Sequence, residues 1–476
     1  MKKIMTKIAA LTITFLFLGA SNAKAQNDFN LNSISASDIE FSDELNQKGI
    51  FDWIKPNNDD SDEKVEKEWT IMVFMNAKND LSDSHLLGLA GKWAVKDIKE
   101  MKKVGTTDKV NVIVEHGAAG KGSKRMLIKK KTGIFSSGEK VYGKYPNADM
   151  GDYKRVIEFV KWSKKEFPAK KYMLVLWNHG LGWLDPKMDS MTAGTGTSNK
   201  GILFDDDTKN YVRTKELGEI LKQSGYIDLF VLNACLMQMA EVAYEVKDYT
   251  GLMVGSEETM LAYGFNYEKL LNFMNSNTKA SDTQLSNFFT NWYKEFFANG
   301  LSMGTIDIPM DDIGGTLSVI NSKAMNNLPA HLNAFAKAVM NNNEEAAVKH
   351  AIQNVIRFTS IDPSDTEKLL SSYADLYDFV RLTLERAESQ ETIQAAENLM
   401  TFINSSLIVG NIGINGDKNN GYDYTKVGGI AIETTRKIKK NFPLGDFFET
   451  PYNTLSLSQD SMWDEFVSWS DNVWTK

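Results

Sequence analysis

The one cysteine of this chain, Cys235, stands in IDLFVLNACLMQMAEVAYEVK (227–247), where a short apolar run meets a stretch with apolar residues at helical spacing. The run 228–232 has the character of a buried strand, and 237–246 that of a helix. A thiol at such a junction is held by rigid elements and opens onto the crevice beyond the strand end. The first helix amides there favour a thiolate. A lone cysteine is most often a small buried core residue, but a second junction argues for more. In KYMLVLWNHGLGW (171–183) another apolar run ends in His179, followed by Gly180 and Gly182. A thiol and an imidazole, distant in sequence and brought to neighbouring strand ends, are what nucleophilic thiol catalysis requires.

Among the five histidines, His116 also follows a strand-like run and is the rival base. His179 is preferred because Gly180 and Gly182 leave room for a substrate backbone and offer an unencumbered amide to an oxyanion. His85, His331 and His350 fall on predicted helices or their ends, where histidine is usually only polar. The acidic run Asp205-Asp206-Asp207 has the oxygen donors that calcium takes, though such a run reads first as a solvated turn. Calcium therefore stays open as an optional ion, and no cofactor is required. NGDKNNGYD (415–423) lacks the glycine and closing acid of a calcium loop, the histidine and cysteine spacing supports no zinc site, and an isolated Gly-Thr-Gly at 194–196 makes no phosphate cradle.

The elements that must position these groups alternate. Strands are predicted at 69–75, 110–115, 172–177, 228–232 and 251–255, with an edge or hairpin strand at 124–131. Helices are predicted at 87–103, 152–166 and 214–223. Such alternation implies a mostly parallel sheet covered by helices on both faces, an α/β class. The stretch 256–265 leaves the same sheet edge and is placed to line a pocket. From residue 311 the pattern turns helical, over 313–320, 331–340, 344–358, 366–385, 391–403 and 461–474, with a late strand pair at 407–409 and 427–433. The expected organisation is a signal peptide at 1–25, a flexible leader or pro-segment at 26–68, an α/β domain at 69–310 and a mainly helical part at 311–476.

Composition narrows the function classes. A formal charge of −8 with scattered acids and bases offers no basic stripe for nucleic acid. Lys2, Lys3 and Lys7 precede an apolar run at 8–20, and Ala23-Lys24-Ala25 fits signal-peptidase cleavage, so the mature chain is expected to start at Gln26 in the periplasm or outside the cell. No stretch matches a membrane span. In an oxidising compartment an unpaired cysteine asks for a reactive role or for pairing between molecules, and a redox role lacks a resolving thiol. The sequence sets no oligomeric state.

Five blocks, IMVFMNAKNDL (71–81), LVLWNHGLGW (174–183), ILFDDDTKNYVRTKEL (202–217), DLFVLNACLMQMAEVAYEV (228–246) and GSEETMLAYGFNY (255–267), together resemble the clostripain family of cysteine peptidases, which has a caspase-like fold. The resemblance implies a dyad of His179 and Cys235, with the amides of Gly180 and Cys235 holding the oxyanion. It implies peptide or protein substrates cut after arginine or lysine, and self-cleavage in the loop 184–200, where Lys187 and Lys200 suit that preference. Family members often carry aspartate two residues before the cysteine. Here that residue is Asn233, a neutral amide that supplies no counter-charge, so Glu257 or Glu258 is expected to take that part. The alternative is a catalytically weak or inactive caspase-like protein that holds a peptide or surface partner in the same crevice.

Overall fold

In the computed structural model the described residues are 65–82, 84–86, 89–185, 187, 201–261, 263–303, 306–308, 310, 313–358, 372–416, 422–434 and 449–476. The expected signal peptide, most of the leader, Lys200 and most of the 184–200 loop lie outside them.

A nine-stranded sheet organises the chain. Its strands in chain order are β1 (Lys67–Ala77), β2 (Val110–Ala118), β3 (Gly122–Ile128), β4 (Glu139–Tyr145), β5 (Ala169–Trp177), β6 (Ile227–Asn233), β7 (Thr250–Gly255), β8 (Gly315–Asn321) and β9 (Ile408–Ile414). Across the sheet they lie in the order β9-β8-β7-β6-β5-β1-β2-β3-β4. The central five run parallel, and antiparallel strands extend both sides. This is the mostly parallel sheet that the alternation predicts.

Side-chain alternation along each central strand divides the interior into two cores. Met72, Phe74, Leu174, Leu176, Phe230 and Leu232 face one, while Val73, Val175 and Val231 face the other. The first core is covered by α2 (Tyr153–Glu166), α3 (Thr214–Ser224) and α4 (Ala240–Val246), the second by α1 (Trp93–Val104), α5 (Tyr267–Ser276) and α6 (Asp282–Asn299). Strands buried on both faces read as continuous apolar runs, which is why they were legible.

Several expectations change. The segment expected as a helix at 313–320 is β8, paired on both sides and buried. Nor do 407–409 and 427–433 pair with each other: β9 joins β8, and Ala431–Glu433 pairs with Tyr373–Asp375. Residues 311–476 therefore contribute two strands to the main sheet, and a division at 310/311 cuts that sheet between β7 and β8. Their helices α7 (Leu328–Asn341), α8 (Glu345–Asn354), α9 (Leu376–Leu384), α10 (Gln390–Phe402) and the closing α12 (Trp463–Thr475), which follows the short α11 (Ser456–Asp460), extend the first core through Phe335, Leu399 and Phe466. On the far side β3 is a hairpin strand, as expected, but β4 pairs beyond it and forms the edge. No helix among the described residues is long and apolar enough to cross a membrane.

Candidate active site

β5 and β6 are parallel neighbours, and Trp177 is in register with Asn233. Two residues beyond this pair on each segment come His179 and Cys235, so the pairing brings the turns that carry imidazole and thiol to adjacent strand ends. The two turns interlock. A Cβ on Gly180 would stand 2.5 Å from the Cys235 carbonyl oxygen and 2.8 Å from the Met237 side chain. Only glycine permits this approach. Gly182, at φ +62°, sits against Met239 and Tyr373 in the same way.

Asn178 fixes the histidine. Its side-chain amide donates to the Asn76 carbonyl (2.6 Å) and the Phe204 carbonyl (3.2 Å), its backbone N–H donates to the Asn233 carbonyl, and its side-chain oxygen accepts from the His179 N–H. The ring is oriented by Asp80, in the turn after β1, whose Oδ1 lies 2.8 Å from His179 Nε2. With Nε2–H donating to Asp80, Nδ1 is the basic nitrogen, and it has no hydrogen-bond partner among the described residues. Asp80 stands within the block IMVFMNAKNDL. Its signal was there, an acid one turn beyond a predicted strand end, but its partner lies 99 positions away.

Cys235 departs from expectation in its helix. Residues 234–239 form a turn, with Leu236 at φ +62°, and α4 begins only at Ala240. No helix amide therefore cradles the sulfur. Met260, in the loop after β7, donates its N–H to Sγ at 3.3 Å. Burial still pushes the thiol up to about 11. The Met260 amide opposes that shift, and the carboxylates of Glu258 and, more weakly, Asp80 add to it. The resting sulfur is thus a protonated thiol at neutral pH, not the thiolate that a helix terminus implied. Neither the Gly180 nor the Cys235 amide donates to a backbone carbonyl among the described residues, and the Cys235 amide lies against its own sulfur, where it favours the thiolate.

The remaining candidates separate. Asn233 is buried, with its side-chain amide on the Tyr267 hydroxyl (3.3 Å) and against Gly264. Glu257 is buried against Asp375. Burial first, then that acid, holds its carboxyl well above the ordinary value, and neither of its oxygens has a well-formed hydrogen bond among the described residues. Burial and the neighbouring acid both oppose the charge that a counter-ion for a basic side chain would need. Glu258 lies on the Cys235 side, accepting from the Tyr424 hydroxyl (2.5 Å) and the Thr259 N–H. His116 sits three strands from β6 and is buried, its imidazole pushed down to about 4 mainly by that burial, so it is not the base. Lys187 is partly exposed at the start of the intervening loop.

Asp205-Asp206-Asp207 holds a cation of its own. The buried Lys78 ammonium lies 3.0 Å from Asp205 and 3.2 Å from Asp207, and Asp205 also accepts the amides of Met150, Asp207 and Thr208. The donor set is already satisfied, and among the described residues no cluster has the makings of a metal site.

Comparisons with known proteins bear on the family and the fold. Clostripain of Hathewaya histolytica is 26% identical over 300 residues, 56% of this chain and 51% of that protein, so the chain spans about half the length of the curated relative it matches. A secreted C11 cysteine protease from Bacteroides thetaiotaomicron, solved in complex with an irreversible peptide inhibitor, superposes with a TM-score of 0.57 at 18% identity, covering 83% of this chain and 99% of the other. An inactive zymogen C11 protease from Parabacteroides distasonis gives 0.55 at 18% identity, covering 83% and 98%. At these identities the structural likeness is one of fold. A family model described as the clostripain family matches residues 73–469, from the middle of β1 into the closing helix, a span that includes His179 and Cys235. The chain belongs to the clostripain family.

Proposed function

We propose that this chain is an exported cysteine endopeptidase in which Cys235 is the nucleophile, His179 the acid and base, and Asp80 the group that orients the imidazole. The observation that carries this reading is the placement of His179 and Cys235 at adjacent strand ends by the β5–β6 register, with His179 Nε2 taken by Asp80. The mechanism follows from the groups present. As Sγ attacks the peptide carbonyl, its proton passes to His179 Nδ1, and the oxyanion is held by the Gly180 and Cys235 amides. The imidazolium then protonates the leaving amine, giving a thioester. Water deprotonated by His179 attacks that thioester, the acid is released, and the thiol regains its proton.

Glu258, beside Cys235, is the acid we assign to recognition of a basic residue before the cut, in place of Asn233. Self-cleavage after Lys187 or Lys200 belongs to the same reading. The test is labelling of residues 26–476 by a peptide acyloxymethyl ketone ending in lysine or arginine, beside His179→Ala and Cys235→Ala. One adduct on Cys235 in the wild type, with none in the alanine variants, is expected. No adduct and no peptide cleavage, with the chain intact or cut between 186 and 200, would sink the reading and leave the crevice as a peptide-binding groove.

A further inference from the structure

The hairpin turn between β3 and β4, KKKTGIFSSG (129–138), carries the two most exposed large apolar side chains among the described residues, Ile134 at 87% and Phe135 at 98%. At Gly133 a Cβ would have nothing within 4 Å, so the tip stands clear of the body. Its root is fixed, with the Lys129 N–H donating to the Gly138 carbonyl and the Lys131 N–H to the Lys102 carbonyl. Lys129, Lys130 and Lys131 are all exposed there. The nearest acid, Glu139, is held by Lys102 and Lys124 and does not offset them.

Because β3 runs antiparallel to β2, this turn lies at the amino ends of the parallel strands, the end opposite His179 and Cys235. The edge strand beside it bears Lys140 and Lys144, which discourages addition of another strand. Two bulky apolar residues at a tip with lysines at its root match an interfacial anchor. The apolar pair enters the boundary of the acyl chains and the ammonium groups meet acidic headgroups. The body, with a formal charge of −8 over the whole chain, is repelled by the same surface, which favours contact tip first.

We propose that the 129–138 turn docks this protein on an anionic lipid bilayer with the crevice facing away from it. The test is co-sedimentation of residues 26–476, free of the apolar signal segment, with phosphatidylcholine vesicles containing about one third phosphatidylglycerol, and with pure phosphatidylcholine. The expected result is binding to the acidic vesicles that is about tenfold or more above the neutral ones and falls with salt. Ile134→Ser with Phe135→Ser, and separately Lys129→Gln with Lys130→Gln and Lys131→Gln, should each lose most of it with an unchanged melting temperature. Equal sedimentation with both vesicle types, none with either, or variants that bind like the wild type would overturn the proposal. Because the readout is lipid binding, its failure is independent of the peptidase reading.

Discussion

A thiol pushed up to about 11 by burial beside Glu258 is a nucleophile waiting for its base. Its free reactivity should therefore rise with pH well beyond the range where an exposed cysteine has levelled off. Alkylation by iodoacetamide, followed by mass spectrometry, is expected to quicken up to about pH 11 in the wild type. Glu258→Gln should move that midpoint down, because it removes a charge that opposes the thiolate, and should also raise KM for lysyl and arginyl peptides. An unchanged midpoint and an unchanged KM would detach Glu258 from the site. Asp80 acts differently, since the group it touches is the imidazole. Asp80→Asn or Asp80→Ala should lower kcat about tenfold to a hundredfold with little change in KM, and Asp80→Glu should restore part of the loss. A loss confined to KM would mean that Asp80 binds substrate and does not position the ring. The places of Cys235, His179 and Gly180 just beyond two strand ends were legible because an apolar run that stops at polar and glycine residues is a local pattern. Asp80 and Met260 were not, since each acts across a turn on a residue from another part of the chain.

The placement of thiol and imidazole belongs to two neighbouring strands and the turns that leave them. Gly180 is the point at which those turns touch, and Gly180→Ala puts a methyl group 2.5 Å from a backbone oxygen that has little freedom to withdraw. The His179 turn must shift away from Cys235 and carry the Gly180 amide with it. We expect kcat to fall about a hundredfold, as for loss of an oxyanion donor, while the melting temperature drops only a few degrees. Full activity in Gly180→Ala would show that the turns are looser than their packing. The same elements show what sequence can and cannot deliver. β1, β2, β5, β6 and β7 were legible because strands buried on both faces are unbroken apolar runs. β8 was misread as helix because GTLSVIN is short, and periodicity does not separate a buried strand from a buried helix at that length. β4 was missed because EKVYGKY is a half-exposed edge strand with little apolar content. The start of α4 fell at Ala240, not at 237, because the chain first makes a turn through Leu236 at positive φ, a conformation that a leucine does not announce.

On the scale of the whole molecule, buried carboxyls join segments that are remote in sequence. Asp185 accepts from Thr214 and Thr450, tying the start of the intervening loop to the closing segment. Glu241 accepts from the Glu433 N–H and the Tyr452 hydroxyl, and Asp375 from the Asp378 and Gly428 amides. Asp97 takes the Trp177 indole N–H beneath the site. Burial is the leading cause in each case, pushing Asp97, Asp185 and Glu241 up to about 7 and Asp375 to about 6. The consequence for stability has a definite sign. Between about pH 4 and about pH 7 the folded chain holds protons on these groups that the unfolded chain has released, so stability falls as pH rises through that window. His116 works the other way, because its folded value of about 4 makes the unfolded chain the better proton binder up to about pH 6.5. These four carboxyls, with Glu257 held still higher beside Asp375, outweigh one histidine, so the net change through this window is a loss of stability. Urea unfolding of Cys235→Ala, which removes self-cleavage from the measurement, should therefore show its highest midpoint near about pH 5, a steep decline to about pH 7 and a gentler one above it, where Glu257 still keeps its proton. Asp185→Asn keeps an oxygen acceptor for Thr214 or Thr450 without the titration, and should flatten part of the decline. A midpoint that climbs from about pH 5 to about pH 7 would mean that these carboxyls are ionised in the fold, and the joints between the sheet and the closing segment would then have to be ion pairs and not protonated hydrogen bonds.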